Sequence, residues 1–115
     1  MDGKRMNVPI TGSSGQSNAD TVFHFHQEGS TVTAHYAGGT VVHGYLVGLL
    51  HGDQLEFRYA QLDTNGKLYG GHSVCELEMT SSGRIRMYEH FEWDSQEGSG
   101  TNVFEELPAE SADEA

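Results

Sequence analysis

From Thr31 to Leu50 the chain reads TVTAHYAGGTVVHGYLVGLL, two alternating stretches about a Gly-Gly turn, the second too apolar to lie against water on both faces. Alternation with a period of two belongs to strands, and the turn residues set which side chains face one another across a hairpin. A one-residue slip turns every side chain over, so successive turns can be tested for agreement. Read as a three-residue loop, Ala37, Gly38 and Gly39 pair Thr40 with Tyr36, Val42 with Ala34 and Gly44 with Val32. That puts Val32, Ala34, Tyr36, Val42, Gly44, Leu46, Gly48 and Leu50 on one face. A two-residue Gly-Gly turn puts His43 and Tyr45 there instead. The turn at Gly52-Asp53 decides for the first reading, because it sets Leu50, Gly48 and Leu46 opposite Leu55, Phe57 and Tyr59.

The same logic extends in both directions. Upstream, Phe23 and Phe25 alternate with Val22, His24 and His26, and a tight turn at Glu28-Gly29 pairs Phe25 with Val32 and Phe23 with Ala34. Downstream, Gln54 to Leu62 turns Leu55, Phe57 and Tyr59 inward, and Asn65-Gly66 is a strong hairpin signal. It sets Tyr59 against His72 and Phe57 against Val74, with Glu76 and Gly70 on the same inward parity. A turn at Ser81-Ser82 returns the chain with Ile85, Met87, Glu89, Phe91 and Trp93 on one face, Val74 opposite Glu89 and His72 opposite Phe91. The loop SQEGSG precedes a last strand from Thr101 to Leu107.

No segment has the period of an amphipathic helix, so consecutive hairpins join neighbouring strands in order. The expected fold is all-β, an antiparallel up-and-down barrel of about eight strands, closed because closure removes exposed edges. One domain of 115 residues is large enough to bury its own core. Residues 1–20 read as a flexible segment with a first strand near Met6 to Thr11, residues 21–107 as the barrel, and residues 108–115 as a disordered acidic tail.

The charge bounds the partners. A formal net charge of −11 repels phosphate backbones and anionic membrane surfaces, which argues against nucleic acid and membrane. The single cysteine, Cys75, has no partner for an internal disulfide, and the chain shows neither a secretory segment nor a bilayer-spanning run. The expectation is a cytoplasmic protein with Cys75 as an ordinary half-buried thiol.

The inward face carries groups that a plain hydrophobic core does not choose. Tyr36, Tyr59, His72 and Glu89, with Phe57, Phe91 and Trp93 as apolar walls, form the expected ligand-binding set. Small residues at Ala34, Gly44, Gly48 and Gly70 leave room beside them. A buried carboxylate is expensive, so Glu89 must find a donor, lie near a wet mouth or be protonated. The plainer account of the same residues is a hydrogen-bonded internal network with no ligand. On the outer face, His24, His26 and His35, the last diagonal to His24, offer imidazoles of the kind that bind zinc or copper, without an evident fourth protein ligand. Solvent-facing histidines explain them with less, and no metal or cofactor is assigned. Arg58, Arg84 and Arg86, beside Glu56 and Glu92, read as cross-strand ion pairs. No glycine-rich loop leads into a helix, so the residues contain no acetyl-CoA-binding motif, and no serine is tied by register to a histidine.

The segments TVFHFHQEG, YAGGTVVHGYLVG, LEFRYAQL and GRIRMYEHFEW resemble a family of small bacterial proteins of about this length and of unestablished function, whose members often carry the label N-acetylglutamate synthase. The likeness covers the chain from about Asp20 to Leu107. It implies a streptavidin-like or lipocalin-like (calycin-like) barrel and transfers no catalytic residues.

Three functions remain open on the residues alone. The first is a non-enzymatic barrel that binds a small molecule. The second is a ligand-free structural or protein-interaction module, a homodimer packed through the strand from Thr40 to Leu50, whose outer Val41, Tyr45, Val47 and Leu49, with Leu62, are too apolar for open solvent. The third is an enzyme using His72 and Glu89 as an acid-base pair, which lacks a nucleophile, metal or oxyanion site to define a reaction.

Overall fold

The computed structural model describes residues 1–12 and 16–108. Residues 13–15 of the first loop, and residues 109–115 of the expected acidic tail, lie outside that description. Eight strands follow one another: β1 (Arg5–Ile10), β2 (Val22–Glu28), β3 (Thr31–Gly38), β4 (Val41–His51), β5 (Gln54–Asp63), β6 (Leu68–Met79), β7 (Ile85–Trp93) and β8 (Ser99–Glu106). Each pairs antiparallel with its neighbours, and β1 closes on β8, so the sheet is an up-and-down barrel without a free edge. The segment before Thr21 thus supplies a barrel strand, β1. Among the described residues no helix is long and apolar enough to cross a membrane.

The β4–β5 hairpin has the register that its turn dictates, with Leu50 facing Leu55, Gly48 facing Phe57 and Leu46 facing Tyr59. Elsewhere the pairing differs from expectation in ways that trace to turn geometry. Between β2 and β3 the turn is Gly29-Ser30, so Phe25 faces Ala34 and Phe23 faces Tyr36, a slide of two residues that preserves the inward face. Between β3 and β4 the turn residues are Gly39 and Thr40, with Gly38 opposite Val41. The position of this turn, with one extra residue on β4 that shows as a bulge against both β3 and β5, then brings Tyr36 opposite Gly44 rather than Thr40. The irregularity also exchanges two valines: Val41 is buried and Val42 faces solvent, the reverse of the expected arrangement.

The β5–β6 and β6–β7 turns hold one residue more than a two-residue reading allows. The Asp63 amide donates to the Lys67 carbonyl at 3.0 Å, and the Asp63 carboxylate accepts the Asn65 and Lys67 amides at 2.9 Å each. Gly66, at φ 79°, takes the left-handed position that closes such a three-residue loop. Gly83, at φ 81°, does the same between Thr80 and Arg84. Strand β6 is therefore turned over relative to expectation. Gly71, Ser73 and Cys75 point inward, while Gly70, His72, Val74 and Glu76 point outward. Two slips of one residue cancel at β7, where Met87, Glu89, Phe91 and Trp93 are buried as expected.

Turns alternate between the two ends of a meander, so the ends differ in character. Val32, Leu55, Cys75 and Met87 lie toward the end that carries the β2–β3, β4–β5 and β6–β7 turns, and are fully buried with Met6 and Phe25. Each fully buried Leu, Phe or Met contributes about 1.5–3 kcal/mol of hydrophobic stabilisation, so this half anchors the barrel. Cys75, expected half-buried, is wholly enclosed, and its burial pushes the thiol well above its usual value. The opposite end is where polar side chains enter the interior.

Candidate ligand site

At the end bearing the β1–β2, β3–β4, β5–β6 and β7–β8 connections, Tyr36, Phe57, Tyr59, Glu89, Phe91 and Trp93 share one cavity. Six of the seven expected binding residues thus meet. The seventh, His72, does not: the three-residue turn at Gly66 carries it to the outer surface opposite Arg58 and Glu92. There its Nδ1 lies 3.0 Å from Asp94 Oδ1 and its Nε2 3.2 Å from Glu92 Oε1. His72 and Glu89 stand on opposite faces of the sheet, so they cannot act as an acid-base pair on one substrate.

Residues that the sequence reading passed over complete the site. Gln61 shares the inward parity of Leu55, Phe57 and Tyr59 on β5, a signal that pattern reading contained and that its polarity obscured. Phe23 likewise follows from β2 alternation. Asn102 and Phe104 depend on the register of β8, which the loop SQEGSG leaves undetermined, and Ser73 became inward only with the turned-over β6. Gln16 and Ser17 come from the β1–β2 connection.

These side chains form two hydrogen-bonded chains. In the first, Tyr36 Oη donates to Gln61 Oε1 at 2.8 Å, and Gln61 Nε2 donates to Gln16 Oε1 at 2.8 Å. In the second, Glu89 accepts from Ser73 Oγ at 2.6 Å and from Asn102 Nδ2 at 2.8 Å, while Asn102 Oδ1 accepts the Gly12 amide at 2.9 Å. Asn102 faces Glu89 directly across β7 and β8. No buried side-chain nitrogen or oxygen lacks a partner among the described residues.

Burial dominates the electrostatics. Removal from water pushes the Glu89 carboxyl above the usual carboxylate range, against the bonds from Ser73 and Asn102 that hold it down. Burial, then the nearby Glu89, pushes the Tyr36 and Tyr59 hydroxyls far up, so both remain donors at every physiological pH. The aromatic walls form two clusters: Phe23 stacks on Tyr36 with centroids 4.1 Å apart, and Trp93 meets Tyr59, Tyr69 and Phe91 at 5.7, 5.3 and 5.8 Å.

The inward glycines explain how so many rings fit. A Cβ at Gly44 would run into the Tyr36 ring, and one at Gly71 would lie 2.5 Å from the Tyr59 hydroxyl. The space expected beside the small residues is occupied by the barrel's own aromatics. What remains inside is about 20 Å³, room for one water molecule. Beyond Gln16 and Ser17 the same end opens into a depression of about 410 Å³ lined also by Thr40, Asp63 and Tyr69.

The outer histidines are arranged differently from expectation. His24 lies directly opposite His35 rather than diagonal to it, with the rings stacked 5.1 Å apart. His26 pairs with Thr33. Among the described residues no group of three or more His, Cys, Asp or Glu is placed to hold a metal ion.

A closed eight-stranded antiparallel meander, with a polar and aromatic cavity at one mouth, defines a barrel of the streptavidin-like kind. The family model for avidin-like proteins matches residues 1–107, and the chain belongs to that family. Comparison with curated proteins and with solved structures gave no match.

Proposed function

We propose that the protein is a non-enzymatic module that binds a small polar molecule at the Tyr36–Gln61–Glu89–Asn102 end of the barrel. The observation that carries this reading is Glu89: a carboxylate wholly inside the barrel, with the neutral groups Ser73 and Asn102 as hydrogen-bond partners. Replacing a buried polar cluster as a whole by well-packed apolar groups is often neutral or stabilising, so a carboxylate at this place fits a function better than it fits folding. Belonging to the avidin-like family supports the same direction. With about 20 Å³ inside, the occupant enters from the depression at the mouth and takes the place of the Gln16 side chain on Gln61.

The test is a thermal-shift screen of small polar compounds on the wild type, Tyr59→Phe and Glu89→Gln. A binder raises the wild-type melting temperature by the linkage between ligand and folded state, and the gain shrinks or disappears in the variants. A compound that stabilises all three equally is not bound at this site.

A second reading is favoured by the filled interior and by β4. Tyr45, Val47 and Leu49 are 62, 57 and 43% exposed on the outer face of one strand. On that reading the barrel is a rigid frame for a homodimer packed through β4, and Val47→Lys converts dimers to monomers without touching the cavity.

A further inference from the structure

The cavity has a charge preference. The chain's six Lys and Arg residues are Lys4, Arg5, Arg58, Lys67, Arg84 and Arg86, and none of them lines the cavity or the depression at its mouth. The Lys67 ammonium lies over the Tyr69 ring at 5.1 Å from its centroid. Along the path inward lie two carboxylates, Asp63 at the mouth and Glu89 inside. Asp63 is engaged by the Asn65 and Lys67 amides of its own turn. Glu89 accepts from two neutral donors, and a carboxylate has about four acceptor sites, so it retains capacity for a further donor.

The walls point the same way. Trp93, Tyr59 and Phe91 surround the inner space, and the faces of such rings attract a positive charge. An anionic ligand would meet Glu89 without a compensating cation in a region of low dielectric, after crossing the field of a chain with net charge −11.

We propose that the recognised group is a compact organic cation with N–H donors, an amidinium or a protonated amine, which displaces the Gln16 side chain from the cavity it shares with Glu89 and pairs with Glu89 beside the rings of Tyr59, Phe91 and Trp93. This rests on the proposed binding function and adds the chemical class of the ligand. An amidinium presents two parallel N–H groups to a carboxylate, a pairing stronger than one between neutral groups.

The experiment uses three probes of one shape and different charge: acetamidine, acetamide and acetate. Trp93 is the chain's one tryptophan, so its fluorescence reports this cavity. Each probe has four heavy atoms, for which the best attainable dissociation constant is on the order of tens of micromolar, so titrations run to about 100 mM. The expected result is that acetamidine shifts Trp93 emission with an affinity at least about tenfold above acetamide, that acetate has no effect, and that Glu89→Gln abolishes the preference. Comparison of the three probes on the wild type stands by itself should the variant fold poorly. Acetamide or acetate binding as well as acetamidine overturns the charge assignment and leaves the binding barrel intact. A preference for acetamidine that survives in folded Glu89→Gln overturns the role of Glu89. No response to any of the three overturns the cation class, while the small-molecule reading stands or falls separately on the thermal-shift screen.

Discussion

Glu89 sets the cost of burying a carboxylate against the proposed binding function in a single side chain. Its burial raises its proton affinity above that of the unfolded chain, so the stability linked to its protonated form is complete below the ordinary carboxylate range and is lost as pH rises through the folded-state value. Glu89→Gln keeps the shape and removes the titration. The stability of the wild type relative to Glu89→Gln should therefore fall as pH rises above the ordinary carboxylate range, measured as the difference in urea midpoints. A difference that stays flat, or rises, contradicts a carboxylate held against its preference. The glycines under the rings make a second residue-level claim. Gly44→Ala forces the Tyr36 ring off its seat and should cost about 1–3 kcal/mol by overpacking, with loss of the Tyr36–Gln61 bond.

Among the elements, the turns decide what was legible. The β4–β5 hairpin could be read to the residue, because a two-residue Gly52-Asp53 turn leaves no slack and the apolar faces of Leu50 and Leu55 agree with it. At Asn65-Gly66 the same kind of signal misled by one residue. The Asp63 carboxylate captures two amides and draws a third residue into the loop, and turn-residue statistics do not show which of these closures will form. That one residue separates a site containing His72 from one containing Ser73. The parity of β7 agrees with its pattern because the Gly83 turn repeats the slip, so Glu89, Phe91 and Trp93 face the interior. The turn position and the bulge on β4 beside it were not legible either, since nothing in YAGGTVV distinguishes a slide of four residues from a regular pairing. The turn account predicts that Gly66→Ala, which forces a side chain into the left-handed region, costs at least about 1 kcal/mol in equilibrium unfolding while the emission of Trp93 is unchanged.

At the scale of the whole molecule, an eight-stranded barrel has an interior just wide enough for side chains to fill, and this one is filled except for the space of one water. Closure without a free edge makes the barrel a stable frame, and its two ends differ: one is apolar and fully buried, the other polar and aromatic. The outer face of β4 is a separate matter. If that face packs two copies together, light scattering on the eluting protein gives twice the 12.6 kDa chain mass, and Val47→Lys returns it to one chain; a wild type that elutes as a monomer at high concentration removes the dimer reading.

The most direct test of the binding function is native mass spectrometry of the protein purified from its own host without denaturation. The wild type should carry a small additional mass on each chain, released on unfolding and absent from Glu89→Gln. Bare chains in both proteins, or an adduct that Glu89→Gln retains, would contradict that function.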